Sequence, residues 1–228
     1  MILAELKLDY PTDVRTIAQA FGENANGSYA RDGLKGHPAI DFGAPWGAPI
    51  RSASRGLGRV YKKFNEQNPD LSRYRAPCEL IDLDDCVIEI TYGHCNDITC
   101  LLGTVKPLQI LATVGNTGSV FDGSHEVTEA EKEAGSHGGA HLHFQLRKCQ
   151  KVTDILATEQ YLQGIDGNVF YDGFYYHVPE YNNGYNGCID PQPYLDNGDD
   201  KKIELMEQEV TILQKVVGFL KELLQLRK

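Results

Sequence analysis

Short apolar or alternating runs recur from Gly33 to about Arg147, at residues 58–61, 87–92, 108–114 and 141–146, with glycine and proline between them. Side chains alternate between the two faces of a strand, so runs of this length bounded by turn residues predict a turn-rich, mainly β domain. The 23 glycines and 12 tyrosines, against two methionines, point the same way. A chain of 228 residues holds one ordinary domain with its own core plus an accessory element. Its formal charge of -10 argues against a generic nucleic-acid binder, which needs clustered Lys and Arg, but leaves room for a local basic patch.

Residues 1–30 read as an irregular lead-in, with a short helix expected over 13–20, capped by Thr12 or Asp13. The domain proper is expected over residues 31–196. Two polar insertions break it, at 63–85 and 121–139, the second acidic and suited to a short helix or a loop beside the site. Residues 162–196, rich in Tyr, Asn and Gly, are expected to pack on the core as ordered irregular structure. After an NGDD linker, residues 201–228 carry Ile203, Met206, Val210, Leu213, Val217, Leu220 and Leu224 at coiled-coil spacing. A second stripe with Ile212, Val216 and Phe219 widens the apolar face, which suits self-association, a membrane surface or docking on the chain's own domain. No run of eighteen uncharged apolar residues predicts a spanning helix, and the N-terminus lacks the pattern of a signal peptide.

Six cysteines, at 78, 86, 95, 100, 149 and 188, contain no CxxC pair, which disfavours a cysteine-zinc ribbon. Disulfides and free buried thiols fit the even count equally well.

The chemistry concentrates in seven positions or fewer. In GGAHLHFQLR, His141 and His143 stand two apart on a strand and so share a face, roughly 7 Å apart along it. His37 and Asp41 lie four apart, but Gly36, Pro38, Gly43 and Pro45 oppose a helix. In a straight strand the pair would be roughly 13 Å apart, so both reach one ion only if a curled loop runs into a strand. His94 ends the run Ile88–Ile90–Tyr92 and is expected on the same strand face. His37, Asp41 and one of His141 or His143 make a three-ligand N/O set, the open arrangement of catalytic zinc, with the remaining histidines free to handle protons.

Taken in order, GHPAIDFGAPWGAPI, ITYGH, VGNTGS and GGAHLHFQLR resemble the lysostaphin-type (LytM-like) zinc metallopeptidases over about Phe21 to Arg147. The resemblance implies a mainly antiparallel β fold with a groove across one sheet. It implies one Zn2+ per chain on His37, Asp41 and His143, with His141 as general base and His94 as an assisting group that orients water or steadies the tetrahedral intermediate. It further implies a peptidoglycan endopeptidase acting outside the cytoplasm, on Gly-Gly bonds or on cross-links of D-Ala with a diamino acid. Both a phage-type lysin and a remodelling enzyme fit. A non-catalytic wall-binding or hydrolase-activating member, or an assembly protein acting through residues 201–228, are the alternatives. The turn Gly115–Asn116–Thr117–Gly118 matches one beside the family's groove, though it also reads as an ordinary tight turn. The two insertions depart from the compact pattern. His125 and His137 lie in the second; both are expected at the surface, with His137 close enough in sequence to approach the metal. His177 is expected to be structural.

Overall fold

Strand after strand pairs antiparallel in the computed structural model, which describes residues 1–23, 28–152, 169–171 and 175–196. In chain order come β1 (Ile17–Gln19), β2 (Ile40–Phe42), β3 (Pro49–Arg51), β4 (Gly58–Phe64), β5 (Ala76–Asp82), β6 (Val87–Gly93), β7 (Cys95–Ile98), β8 (Gly103–Val105) and β9 (Ile110–Val114). A small hairpin, β10 (Phe121–Asp122) and β11 (His125–Glu126), and a short helix α1 (Glu129–Glu133) follow. The long β12 (Leu142–Val152) is followed by β13 (Val169–Tyr171), β14 (Tyr175–His177) and β15 (Cys188–Ile189). The principal sheet runs β1-β2-β12-β6-β5-β4-β8, with β13, β14 and β15 added beyond that path; β3-β9-β7 form a second sheet.

The core lies between these sheets. Ile88, Ile90 and Tyr92 of β6 and Leu142, Phe144 and Leu146 of β12 point inward and meet Ile50, Leu111 and Val114 of the smaller sheet. All are buried, and each such side chain contributes about 1.5–3 kcal/mol by leaving water. The pleat that sends the even-numbered residues of β12 into the core turns His143 to the opposite face, so core and site come from one alternating strand.

Three expectations are corrected. Residues 13–20 are not helical: Ile17 and Gln19 pair with Phe42 and Asp41, which covers the edge of β2. Leu6 and Leu8, upstream of it, are buried in the main core, so the first ten residues belong to the fold. Most of the 63–85 insertion's second half is β5, a central strand paired on both sides. Its buried Glu79 and Cys78 disguised it as polar loop. Within 162–196, the described residues are largely turns and single 3-10 turns, as expected, interrupted by the short strands β13, β14 and β15, and Tyr176 packs with Leu80, Val87 and Cys149. The six cysteines are separate, buried thiols. In the second insertion the helix does form, closed by a capping box between Thr128 and Glu131. The expected linker at 197–200 and helix at 201–228 lie outside the described residues. No helix among the described residues is long and apolar enough to cross a membrane.

Glu79 is tied into this core. It accepts hydrogen bonds from Ser52 Oγ and Tyr92 Oη, and Tyr92 Oη in turn accepts from the Ala53 amide. Burial, the largest influence, raises its pKa against the two hydrogen bonds that favour the carboxylate. The stability it contributes is therefore complete below the unfolded carboxyl value and is lost as pH rises through the raised one. Glu79→Ala strands two buried hydroxyls and should cost about 2–3 kcal/mol in urea unfolding. A midpoint unchanged from wild type would show that the network is not structural.

Candidate metal centre

The sequence problem posed by His37 and Asp41 is solved by a bend. Residues 37–39 curl before β2 begins at Ile40. The curl is held from the lead-in side: the His37 amide donates to the Glu23 carbonyl and the Gly22 amide to the His37 carbonyl. Gly36 is required by this clasp, because a Cβ there would lie 2.2 Å from the Gly22 carbonyl oxygen. His37 Nε2 thus comes to 3.2 Å from Asp41 Oδ1.

Strand register supplies the next side chain. On β12, His143 pairs with Asp41 of β2 on one side and with Gly93 of β6 on the other. Its Nδ1 lies 3.1 Å from Asp41 Oδ1 and 3.1 Å from His37 Nε2. The three atoms close a triangle that protons alone do not satisfy. If both imidazoles donate to Oδ1, the two nitrogens face each other donor to donor; any other tautomer choice leaves facing lone pairs. A cation at the centre satisfies every edge. Tetrahedral zinc with bonds of about 2.0–2.1 Å sets its ligand atoms about 3.3 Å apart, close to the edges found here. The residues therefore fit the metal. A second group, His94, His141 and His143, also brings ligand atoms within 4.8 Å of one another, and it shares His143 with the first.

Electrostatics agree with a cation-ready centre. Burial, the largest single influence on Asp41, would raise its pKa; His143, His37 and His141 together outweigh it and hold the carboxyl well below the usual range. Asp41 is thus an anion, and His37 and Asp41 are almost wholly buried.

His94 and His141 stand beside the triangle. His94 Nδ1 lies 2.6 Å from the Thr117 carbonyl and His141 Nδ1 lies 2.8 Å from the Gly139 carbonyl. A carbonyl only accepts, so each Nδ1 carries a proton, and in the neutral ring each Nε2 presents a lone pair. Burial, then the neighbouring His141 and His143, push the His94 pKa well below its ordinary value, so it stays neutral. The His141 Nε2 lies 3.5 Å from Asp41 Oδ2, and the His94 and His141 rings are 4.6 Å apart.

His94 does not share the core face of Tyr92, as simple alternation predicts. Its φ of +59° breaks the strand and turns the ring toward His141. Left-handed backbone at a non-glycine residue is uncommon and concentrates at functional positions. The turn at 115–118 does more than reverse the chain: the Gly115 carbonyl accepts from the His141 amide, and Asn116 Nδ2 donates to the Ser136 and Gly138 carbonyls.

His37, Asp41, His94, His141 and His143 line a groove of about 480 Å³ with Gln19, Tyr29, Arg31, Asp32 and Phe121 at its walls. Sequence reading missed Tyr29, whose ring lies 5.5 Å from that of His37 and whose pKa burial, then Asp41, pushes up to about 12. Among 12 tyrosines nothing in the sequence marks it. His137 does not join either cluster; it stacks on Trp46 with centroids 4.0 Å apart. His125 is at the surface, paired with Glu131.

No family profile matches the sequence, and no curated protein does. Lysostaphin structures are similar to it. The catalytic domain of this antimicrobial peptidase from Staphylococcus simulans, crystallized in the absence of phosphate, aligns at 17% identity and a TM-score of 0.38, over 84% of this chain and 92% of that one. A second structure of the antimicrobial peptidase lysostaphin from Staphylococcus simulans aligns at 17% identity and a TM-score of 0.40, and an NMR solution structure of lysostaphin at 18% and 0.38, each over 85% of this chain and 53% of the other. Likeness at that level assigns no chemistry.

Proposed function

We propose that this chain is a zinc-dependent endopeptidase of the lysostaphin type, cutting peptide cross-links of bacterial peptidoglycan. The observation that carries the reading is the closed triangle of His37 Nε2, Asp41 Oδ1 and His143 Nδ1, flanked by two imidazoles whose free lone pairs are fixed by backbone carbonyls. The ordered sequence motifs that resemble this family support the choice of substrate.

His37, Asp41 and His143 would hold the metal. Zinc bound there supplies Lewis-acid polarisation and acidifies a water to a pKa of about 7. His141, which lines the groove with its Nε2 3.5 Å from Asp41 Oδ2, accepts the proton of the attacking water and returns it to the leaving nitrogen as the C–N bond breaks. Its Nδ1–H bond to Gly139 fixes the ring for both transfers. His94, neutral and with an accepting Nε2, orients that water; in this tautomer it has no proton for the oxyanion. Tyr29, protonated at neutral pH, lines the groove with its ring 5.5 Å from that of His37 and its hydroxyl donating to Gln19 Oε1. The work would be done at the cell wall.

The test is release of new amino groups from purified sacculi by the full chain, before and after metal removal by chelation. Release that disappears with chelation and returns with zinc supports the reading. Release indifferent to metal, or none from glycine-bridged and diaminopimelate-type sacculi alike, refutes it.

A further inference from the structure

We propose that Tyr74, carried on the 63–85 insertion, is a positioning residue for this centre: its ring is the wedge that holds the His94 and His143 imidazoles in their working orientation. The inference rests on the function proposed above, but its geometry stands independently.

The ring meets both histidines edge-on. Its centroid lies 4.9 Å from that of His94 at 89° and 6.2 Å from that of His143 at 85°. Edge-to-face contact is the preferred geometry between aromatic rings, and it restricts how far either imidazole can tilt. Register shows how the ring gains access. Gly93 lies directly opposite His143, so a side chain at 93 would stand beside His143 on the same face of the sheet. Gly93 has none; a Cβ there would fall 2.1 Å from Tyr74 Oη. The tyrosine of a distant loop thus fills the place of the missing side chain.

The wedge is anchored to the strut that fixes His94. The Arg75 amide, next in the chain, donates to Thr117 Oγ1 at 3.2 Å, and the Thr117 carbonyl receives His94 Nδ1–H. One residue therefore sets both the aim of His94 and the place of the ring that braces it. No mechanism step uses Tyr74 itself, and it does not line the groove. That is the pattern of a group acting through others.

Full-length Tyr74→Phe and Tyr74→Ala, loaded with zinc for kinetics and with Co2+ for visible spectra, test it. Tyr74→Ala should lower kcat about tenfold to a hundredfold, as loss of outer-shell support does. KM should stay within about twofold and the Co2+ ligand-field bands should shift. Tyr74→Phe should match the wild type in both. Tyr74→Leu, which fills volume without a flat edge, gives the same reading should the alanine variant not fold. Wild-type kcat and spectrum in Tyr74→Ala or Tyr74→Leu would overturn the proposal. So would a loss in Tyr74→Phe equal to that in Tyr74→Ala, which would assign the effect to the hydroxyl. If the wild type cleaves no wall peptide, the proposed activity fails while the Co2+ spectra still decide whether the ring positions the ligands.

Discussion

Asp41→Ala is expected to weaken zinc binding by more than about a hundredfold, beyond what loss of outer-shell support alone costs, and to abolish hydrolysis. The carboxylate is the one anion of the triangle and occupies two of its three edges. It is also the group on which three imidazoles converge, since His141 Nε2 faces its second oxygen. Removing it leaves two neutral nitrogens and no charge to offset the ion. Asp41→Asn keeps the shape and one oxygen but not the charge, and should fall between the two. Competition against a coloured chelator reads the affinities directly. Equal affinity in wild type and Asp41→Ala would mean the ion, if bound, sits elsewhere.

His141→Ala should behave in the opposite way. It leaves the triangle intact, so zinc binding should fall far less than in Asp41→Ala, by no more than the roughly tenfold that loss of a partner to a ligating carboxylate brings. Loss of the proton carrier should lower kcat by about a hundredfold to ten-thousandfold, the usual scale for a general base. KM should change little, because His141 is only partly buried at the groove floor and its role belongs to the transition state. Metal-free His141→Ala protein would contradict the division of labour between His141 and His143.

That division is where sequence reading reached its limit. Two residues apart on a strand, His141 and His143 share a face, so spacing gives no reason to choose between them. Register separates them. His143 lies within β12 between Asp41 and Gly93, whereas His141 precedes the strand and bridges to Gly115. Register is a product of three non-local pairings and is not written in any one segment. Non-local packing hid Tyr74 too, which reaches His94 and His143 from a separate loop, whereas Tyr29 stands close before His37 and simply carries no mark among the 12 tyrosines. Such packing hid β5 as well, whose buried Glu79 is paid for by Ser52 and Tyr92 across the core. Local sequence carries the strands around 87–92 and 141–146, the need for a curled entry into β2, and the histidines themselves. His94 is the instructive case. Its residue type marked it, alternation placed it on the wrong face, and one positive φ made the difference.

The most direct test of the central claim is zinc K-edge X-ray absorption on the full-length, zinc-loaded chain. The chain holds six thiols as well as the histidines, and zinc–sulfur bonds of about 2.3 Å separate cleanly from zinc–nitrogen and zinc–oxygen bonds of about 2.0–2.1 Å. Two imidazoles with oxygen filling the remaining shell, and no sulfur, is the result expected from His37, Asp41 and His143. A sulfur shell, or a site with no histidine scattering, would contradict it.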